Sequence, residues 1–522
     1  MLYIIYDIKH TNNKDMPQTK TQTQNIGKMI KQMRIDKGIT QDAFAKQLNT
    51  SQSAVARIEK GGQNLTTKEL FKISALLERS LVKVENATDD FKIVGGKKLS
   101  GSIETNASKN GALGLFCASL LNKKPTTLHG IPRIEEISRI IEIFQSIGVK
   151  VEWIAQNTVV ITPPKKFLLK NIDKNASARI RSILMMIGAL IHFETDFEIP
   201  HAGGCKMGQR TIAAHRYGLE ELGVKIVTKE SSYKISHGKL RPADIVMYEA
   251  SDTATENLLI AAALVPGTTT LRFTPPNYQV QEVCFFLEKC GVKIEGIGSS
   301  TLVVHGVKEI NQPIEYHNSE DPIESMMFIA SAIVTNSELT ITRCPIEFLA
   351  LEMLKLEKMG LRYKKSKIYL SNNGNTKLVD ITVYPSKLKS PNDKIHAAAY
   401  PAINSDNLPF FVPIATLAEG TTLIHDWMWE NRAIYFTELN RLGANIVLAD
   451  QHRVFVQGPS ELKGNQVVCP PALRPAMIVL VAMLGAKGTS ILRNVYSINR
   501  GYENIAKRLN AIGAEITLLN DF

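Results

Sequence analysis

The residues with the clearest chemical potential lie in the stretch 201–215, HAGGCKMGQRTIAAH. Cys205 stands between two basic residues, Lys206 and Arg210, and nearby positive charge favours the thiolate over the thiol. Arg210 could also hold a phosphate or a carboxylate through two parallel hydrogen bonds. Glycines, which tolerate backbone angles that other residues resist, occur on both sides of the cysteine, at Gly203, Gly204 and Gly208. The pattern predicts a mobile, reactive loop, and a surface turn with an incidental cysteine is the alternative.

The overall composition limits the kind of protein to which this loop belongs. A chain of 522 residues is too long for one ordinary core, so two or more domains are expected. It has 44% hydrophobic and 21% charged residues, as globular proteins do, and its net charge of +12 favours anionic partners. The six cysteines form no CxxC pair, which indicates a reducing, cytoplasmic setting without disulfides or a zinc site. We expect no metal, no cofactor and no membrane span, since no apolar run is long enough to cross a bilayer.

The N-terminal part of the chain separates into a polar lead and a helical segment. Residues 1–25 are rich in Thr, Asn and Gln and are expected to be disordered. Residues 26–79 follow, with apolar residues at helical spacing up to Gly38. Side chains able to cap three further helices occur at Thr40, at Ser51 and at either Thr66 or Thr67. Short helices joined by short turns predict a helix-turn-helix.

This helical segment resembles the Cro/repressor (XRE) family of DNA-binding domains. The resemblance rests on Thr-Gln at the second helix, Ser-Gln-Ser at the third and Ile-Glu-Lys-Gly at its end. It implies that Gln41 contacts a phosphate and that Gln52 and Ser53 face base edges. Arg57, one turn further along, could reach the DNA backbone. A small module for protein interaction is the alternative, because the excess of basic residues here is mild.

A short polar linker, residues 80–90, leads into a repeat that runs to the C-terminus. Six times, a helix pattern ends in an apolar residue and a glycine and is followed by a strand pattern, with the glycines at Gly148, Gly223, Gly291, Gly360, Gly443 and Gly513. The spacing of roughly 70 residues indicates six α/β units in two pseudo-symmetric halves. Because the period is too long for a solenoid, two lobes with a cleft between them are expected.

Residues 91–522 resemble the family of UDP-N-acetylglucosamine enolpyruvyl transferases. The resemblance rests on stretches along the whole segment, among them SKNGAL, GGCKMGQR, SDTATENLLIAAAL, YPAINSDNLPF, WENRAIYFTEL and INRGYENI. It implies an α/β fold, a two-lobed inside-out α/β barrel preceded by the small all-α helix-turn-helix domain. One lobe would combine residues 91–108 with 320–522, and the other would span 109–319. The implied reaction transfers the enolpyruvyl group of phosphoenolpyruvate to the 3′-hydroxyl of UDP-N-acetylglucosamine, the first committed step of peptidoglycan synthesis.

The resemblance also implies roles for single residues. The implied catalytic residues are Cys205 as the acid for C3, Asp406 as the base for the sugar hydroxyl, Lys109 and Arg500. The implied phosphoenolpyruvate contacts, which supply the cations that a phosphate and a carboxylate need, are Lys109, Asn110, Arg210, Arg432, Arg474 and Arg500. The implied UDP-sugar contacts are Arg181, Arg210, Thr211, Ile212, Ala213, Ala214, Ser251, Asp406 and Met428. Arginines so far apart in sequence would otherwise be taken for surface residues.

Several positions depart from the family pattern, mostly on the UDP side. Glutamate replaces lysine at Glu135 and Glu249, and NSDN replaces the usual PTDM around Asp406. The other replacements are Thr253 for a glycine, Ala213 for an aspartate and Pro322 for an arginine. Charge reversals near a pyrophosphate cost affinity. The alternative function is therefore a transcriptional regulator whose transferase-like body senses a ligand without turnover.

Overall fold

The computed structural model describes residues 18–63, 65–77, 89–203 and 211–520. The chain divides into two compact units, an N-terminal one that ends at Thr88 and a larger one that spans Asp89–Leu519. Each unit has its own buried apolar residues.

The N-terminal unit contains four helices, Gln18–Asp36, Gln41–Leu48, Gln52–Glu59 and Thr67–Leu77. The first begins earlier than expected, so residues 18–25 are helical rather than part of a disordered lead. This polar run lacks glycine and proline, and a helix already formed over the apolar residues that follow extends by one hydrogen bond for each residue added. Residues 1–17 lie outside the described residues.

Capping side chains fix the ends of these helices, as the sequence predicts. The hydroxyl of Thr40 accepts from the amide of Ala43, and that of Ser51 accepts from the amide of Ala54, both at 3.2 Å. Thr66 and Glu69 bond each other's backbone amides reciprocally, which identifies Thr66 as the cap. The helices bury one small core, made of Ile30, Met33, Phe44, Ala45, Leu48, Val55, Ile58, Ile73 and Leu77.

The larger unit has two hydrophobic cores, which define two lobes. Lobe one comprises residues 89–103 and 323–519, and lobe two comprises residues 112–316. The sheets of lobe one contain the strands Asp89–Gly95, Gln466–Val468, Gly488–Arg493 and Glu515–Asn520; Ser102–Glu104, Leu339–Pro345, Arg362–Lys365, Tyr369–Leu370 and Lys377–Tyr384; and Ile395–His396, Gly420–His425, Asn445–Asp450 and Arg453–Gly458. Those of lobe two contain Asp244–Val246, Gly267–Arg272, Lys293–Glu295 and Thr301–Gly306; Thr126–His129, Lys150–Ala155, Thr158–Thr162 and Ile314–His317; and Asp196–Pro200, Val224–Thr228 and Ser232–His237.

Five of these six sheets share one topology. One strand pairs in parallel with a second strand, which pairs antiparallel with a third. In lobe two, for example, Ile314–His317 is parallel to Thr126–His129, which is antiparallel to Thr158–Thr162. The sheet of Asp196–Pro200 has three antiparallel strands only. The repeat in the sequence is thus a repeat of sheets, three in each lobe.

The helices lie inside the sheets. Pro322–Val334 in lobe one is buried along its whole length, and Asp252–Ala263 in lobe two is buried from Ala254 onward. A helix that is apolar on all sides belongs in a core, whereas most strands here alternate buried and more exposed residues and so face solvent on one side. The expected inside-out α/β arrangement is therefore confirmed. The remaining α-helices are Lys109–Ser119, Glu135–Ser146, Lys174–Ser177, Met186–Leu190, Ala213–Glu221, Tyr278–Lys289, Ala350–Lys358, Phe411–Ala415, Leu473–Gly485, Tyr496–Asn499 and Ile505–Ala511.

The six repeat glycines have the conformation that ends a helix. Their φ angles run from +91° at Gly148 to +102° at Gly513, with Gly223, Gly291, Gly360 and Gly443 between them. This left-handed region suits glycine because a Cβ is strained there. Each glycine lets the chain leave a central helix and turn back into an outer strand.

The chain passes between the lobes twice, over residues 104–111 and 317–322. The two passages lie side by side, because Ala107 and Glu320 form an antiparallel bridge and the amide of Ser108 donates to the carbonyl of Ser319 at 2.7 Å. Among the described residues, no helix has the length and apolar character needed to span a bilayer.

Candidate active site

The first passage between the lobes leads directly into a charged cluster. Ser108 caps the helix Lys109–Ser119 and so fixes Lys109 and Asn110 at its first turn. Lys109 Nζ lies 2.8 Å from Glu136 Oε2, and Arg500 Nη2 lies 3.0 Å from Glu136 Oε1. Burial raises the pKa of the Glu136 carboxyl, but the charges of Lys109 and Arg500 outweigh burial, so its pKa lies below the usual range. Glu136 therefore joins a cation from each side of the cleft.

Asp406 lies in a second charged cluster, on lobe one. Arg474 Nη2 donates to Asp406 Oδ2 at 2.9 Å, and Arg474 Nη1 donates to the hydroxyl of Tyr502 at 2.8 Å. Burial raises the pKa of Asp406, yet the charges of Arg474, Arg432 and Lys109 together hold its pKa below the usual range. The carboxylate is thus ionised at neutral pH, which a proton acceptor must be.

The side chain of Arg432 is buried next to Asp406 and is not exposed to solvent. Its side chain is fully buried, and it forms a bidentate ion pair with Asp426 and donates to the carbonyl of Ser405 at 2.7 Å. Its Nη1 atom makes no hydrogen bond and lies 3.9 Å from Asp406 Oδ1. In this structure Arg432 can act on a ligand only by orienting and polarising Asp406.

The NSDN stretch around Asp406 is held by a buried glutamate. Glu352 Oε1 accepts from the amide of Asn404 at 3.1 Å and from the side chain of Asn407 at 2.9 Å. Asn404 in turn accepts from the amide of Asp406 at 2.9 Å. The two asparagines that depart from the family pattern therefore shape the loop that carries Asp406.

A second aspartate, Asp252, lies near enough to Asp406 to be affected by its charge. Asp252 begins the helix Asp252–Ala263, directly after Ser251, and its Oδ2 accepts from Asn277 Nδ2 at 2.9 Å. Burial and the charge of Asp406 raise the pKa of Asp252 to about 6, although the hydrogen bond from Asn277 opposes the shift. The two aspartates thus differ, because Asp406 is stabilised as an anion and Asp252 is not.

The expected UDP-sugar contacts are only partly brought together. Arg181 Nη2 donates to the carbonyl of Thr211 at 2.6 Å, beside the first turn of the helix Ala213–Glu221. Ile212, Ala213 and Ala214 follow, and Ser251 is half-buried. Met428 packs against the core of lobe one.

Two of the departures from the family pattern have identifiable partners. Glu135 Oε1 accepts from the hydroxyl of Tyr496 at 2.7 Å, so the replaced position links lobe two to lobe one. Thr253 Oγ1 lies 3.4 Å from Nε2 of the buried His215. Glu249 is exposed.

The reactive loop lies outside the described residues, which end at Gly203 and resume at Thr211. Cys205 and Arg210 therefore remain predictions, as does the mobility of the loop. Position 203 requires a glycine for a steric reason, because a Cβ there would lie 1.6 Å from the carbonyl oxygen of Ala178. The other five cysteines are buried, and burial raises the pKa of each thiol.

Sequence reasoning missed several residues of the cleft. Glu136 stands next to Glu135 in an otherwise ordinary helix start, and nothing in the sequence marks it as a partner of Lys109. Tyr278 accepts a hydrogen bond from Asn110 at 2.9 Å but lies in no motif. By contrast, Asp252 and Tyr502 fall inside the stretches SDTATEN and INRGYENI and could have been chosen from them.

The expected DNA-contacting residues lie on the third helix of the N-terminal unit, with one exception. Gln52, Ser53 and Arg57 are exposed on the helix Gln52–Glu59. Gln41 is half-buried and its side chain donates to Glu59 Oε2 at 2.7 Å. Gln41 therefore presents less of its amide to a phosphate than expected, because the buried Glu59 binds it together with Arg34.

Both units are similar to known protein families. Residues 93–509 match the family of EPSP synthase (3-phosphoshikimate 1-carboxyvinyltransferase), and residues 30–84 match a helix-turn-helix family. A UDP-N-acetylglucosamine 1-carboxyvinyltransferase of Bradyrhizobium diazoefficiens is 35% identical over 426 residues, 81% of this chain and 96% of its own. One of Treponema denticola is 35% identical over 437 residues, 82% of this chain and 99% of its own. The solved enolpyruvyl transferase NikO of Streptomyces tendae superposes with a TM-score of 0.71 at 24% identity, over 84% of this chain and 100% of its own.

Proposed function

We propose that this chain, which belongs to the enolpyruvyl transferase family and is an enzyme of that family, uses phosphoenolpyruvate and UDP-N-acetylglucosamine as its substrates. The product would be the 3′-enolpyruvyl ether of the sugar nucleotide, with inorganic phosphate released. The observation that carries the proposal is the ionised Asp406, held by Arg474 in the same cleft as Lys109 and Arg500. The reaction would be an early step of peptidoglycan synthesis.

The chemistry has two stages. The 3′-oxygen attacks C2 of phosphoenolpyruvate and loses its proton to Asp406, while C3 gains a proton from the thiol of Cys205. The C2–O bond to phosphate then breaks and C3 returns a proton to the Cys205 thiolate, which restores the double bond and the thiol. One hydroxyl proton is lost and one phosphate leaves, so no oxidant, metal or cofactor is needed.

The cations of the cleft would bind the two anionic ends of phosphoenolpyruvate. Lys109, Arg474 and Arg500 are positioned for this, and Glu136 and Asp406 balance their charge. Asn110 lies beside Lys109, and Arg210 would be brought in by the loop. Such preformed cations stabilise charge that develops as phosphate leaves.

The sugar nucleotide would bind on the lobe-two side. The donors would be Arg181, Ser251 and the backbone at Thr211, Ala213 and Ala214, with Met428 opposite on lobe one. Asp406 would accept the 3′-hydroxyl proton. Exposed Glu249 replaces a cation there, so we expect weaker pyrophosphate binding than a lysine at this position would give.

Release of phosphate from phosphoenolpyruvate tests the proposal directly. Purified full-length protein should release phosphate only when UDP-N-acetylglucosamine is also present. Cys205→Ser should abolish release, whereas Cys205→Asp should retain some, because a carboxyl group can deliver a proton. If the protein binds both compounds but releases no phosphate, the proposal fails and a ligand-sensing body is favoured.

A second function, DNA binding, is favoured by the exposed face of the helix Gln52–Glu59. We propose that Gln52 and Ser53 read base edges and that Arg57 contacts the backbone. A mobility-shift screen against DNA upstream of the chain's own coding region should give a complex. Gln52→Ala should relax its sequence preference, and Lys46→Ala, on the exposed side of the preceding helix, is the matched control. Absence of a complex at low salt, where the electrostatic contribution is largest, would favour a protein-interaction module.

A further inference from the structure

Two histidines and a glutamate share one face of a sheet in lobe two. His129 and His317 are register partners on the parallel strands Thr126–His129 and Ile314–His317. Glu315 lies two residues before His317, so both side chains project from the same face of that strand. The two imidazole rings are stacked with centroids 4.3 Å apart, and ligand atoms of all three groups lie within 4.8 Å of one another.

The hydrogen bonds around His129 resemble those of a metal ligand. Its Nε2 lies 2.8 Å from Glu315 Oε1, and its Nδ1 lies 3.1 Å from Oγ1 of Thr158 on the next strand. Metal-bound histidines are commonly oriented by such a partner on the second ring nitrogen. Thr158 would hold the ring with Nε2 towards Glu315, where an ion would replace the proton between them.

We propose that His129, Glu315 and His317 bind a divalent transition-metal ion. Two imidazoles and one carboxylate suit Zn²⁺, Ni²⁺ or Cu²⁺ better than Mg²⁺ or Ca²⁺. Metal–nitrogen bonds of about 2.0–2.1 Å place two ligand atoms about 3.3 Å apart around a tetrahedral ion. His129 Nε2 and Glu315 Oε1, 2.8 Å apart, must therefore separate, and ligand atoms that lie up to 4.8 Å apart must approach, by roughly 0.5–1.5 Å in all. Glu315 can supply part of this movement, because its side chain is 70% exposed.

Lobe one contains the same histidine pair without a glutamate at the position of Glu315, and the Asp450 carboxylate near His425 is paired with Arg453. In the equivalent sheet, His396 and His425 are register partners on the parallel strands Ile395–His396 and Gly420–His425. Lys394 occupies the position of Glu315, and Arg453 that of Thr158. Burial and the charges of Lys394 and Arg453 lower the pKa of His425. Positive neighbours repel a cation, so the lobe-one pair is a built-in comparison for the lobe-two pair.

The proposed ion would join the strand ends that lead to the second passage between the lobes. The amide of Asn318, directly after His317, donates to the carbonyl of His129 at 3.1 Å. The side chain of Asn318 donates to Ser108 at 2.7 Å and to Gly130 at 3.0 Å. A metal on His129 and His317 would therefore stiffen the lobe-two end of this passage.

Calorimetric titration of the full-length, chelator-treated protein with NiCl₂ tests the proposal. We expect one equivalent that binds at least tenfold more weakly in His317→Ala and in Glu315→Gln. The double variant His396→Ala, His425→Ala should bind as the unmodified chain does. Glu315→Gln changes an exposed side chain, so its fold should persist, and the unfolding temperature without metal checks this.

Either of two results would overturn the proposal. One is that no nickel equivalent binds. The other is that an equivalent persists unchanged in both His317→Ala and Glu315→Gln, since the ion would then lie elsewhere. With nickel present, the unfolding temperature should rise in the unmodified chain and in the lobe-one double variant, but not in His317→Ala.

Discussion

Lobe one and lobe two repeat one architecture but hold their cleft residues differently. On lobe one, Asp406, Arg474 and Arg432 form a buried network in which each charge has an opposite neighbour. On lobe two, the expected sugar contacts lie on half-buried turns next to the loop 204–210. Four of the departures from the family pattern, Glu135, Glu249, Thr253 and Ala213, also belong to lobe two. The comparison indicates that Asp406, the proposed base, is held by charged neighbours on lobe one, whereas most of the departures from the family pattern lie on the side proposed to bind the sugar.

The largest expected effect is loss of turnover in Asp406→Asn. An amide cannot accept the hydroxyl proton, so kcat should fall by about 10²–10⁴-fold with the fold intact. Phosphate release measures this, and Asp244→Asn on an exposed lobe-two strand is the control. Unchanged release in Asp406→Asn would mean that lobe one does not supply the base.

The next effect concerns Glu136, which bridges the lobes. Glu136→Gln leaves Lys109 and Arg500 without their shared counter-charge, so the free energy of unfolding should fall by about 2 kcal/mol at pH 7. Because the folded-state pKa of Glu136 is lowered, this stability should also disappear in the unmodified chain as the pH falls through that pKa. Denaturant unfolding measures both.

Glu309→Gln is the control for this bridge, since Glu309 pairs with Lys123 at an exposed site. Its effect should be much smaller than that of Glu136→Gln, because solvent screens an exposed ion pair. Equal losses in the two variants would show that the bridge between the lobes is no stronger than a surface ion pair.

A third change would erase the difference between the two histidine pairs. Lys394→Glu gives lobe one the carboxylate that lobe two already has, so a second nickel equivalent should appear. Arg453 remains next to His425, so we expect this site to be about tenfold weaker than the first. Calorimetric stoichiometry is the measurement, and Lys394→Gln, which removes the positive charge without adding a ligand, should stay at one equivalent. A second equivalent in Lys394→Gln would show that the carboxylate is not what distinguishes the lobes.

The smallest effect is a gain in stability from Asp252→Asn. The folded-state pKa of Asp252, about 6, lies above its usual value, so its contribution to stability is lost as the pH rises through roughly 4–6. Removing the charge should raise the free energy of unfolding at pH 7 and leave it almost unchanged at pH 4. A gain that does not depend on pH would rule out the carboxylate charge as its cause.

The sequence predicts the repeating features of this fold well. The six glycines were placed correctly because one physical requirement, a left-handed residue at the end of a helix, recurs with a regular spacing. The family and the helix-turn-helix were recognisable for the same reason, since their motifs are local. The prediction of disorder for residues 18–25 is wrong, because composition alone does not indicate that the helix which follows can extend into this polar run.

Features that depend on distant pairing could not be predicted. Glu136 and Arg500 are 364 positions apart, and nothing in the sequence around either residue indicates that the two form an ion pair. The same holds for His129 and His317, which become neighbours only when two strands align in register. The burial of Arg432 behind Asp406 was missed because a motif identifies a residue but not the direction in which it points.

The double passage between the lobes has a consequence for the order of folding. Lobe two is one uninterrupted segment, so all of its strands can pair before the last part of the chain is synthesised. Lobe one cannot form so early, because Asp90, beside the first strand pairings, binds Arg493 from 403 positions later. Contacts of such long sequence separation form slowly, and domains tend to fold as units during synthesis. Lobe two should therefore fold first on the ribosome and bring the two ends of lobe one together through the paired segments at Ala107 and Glu320.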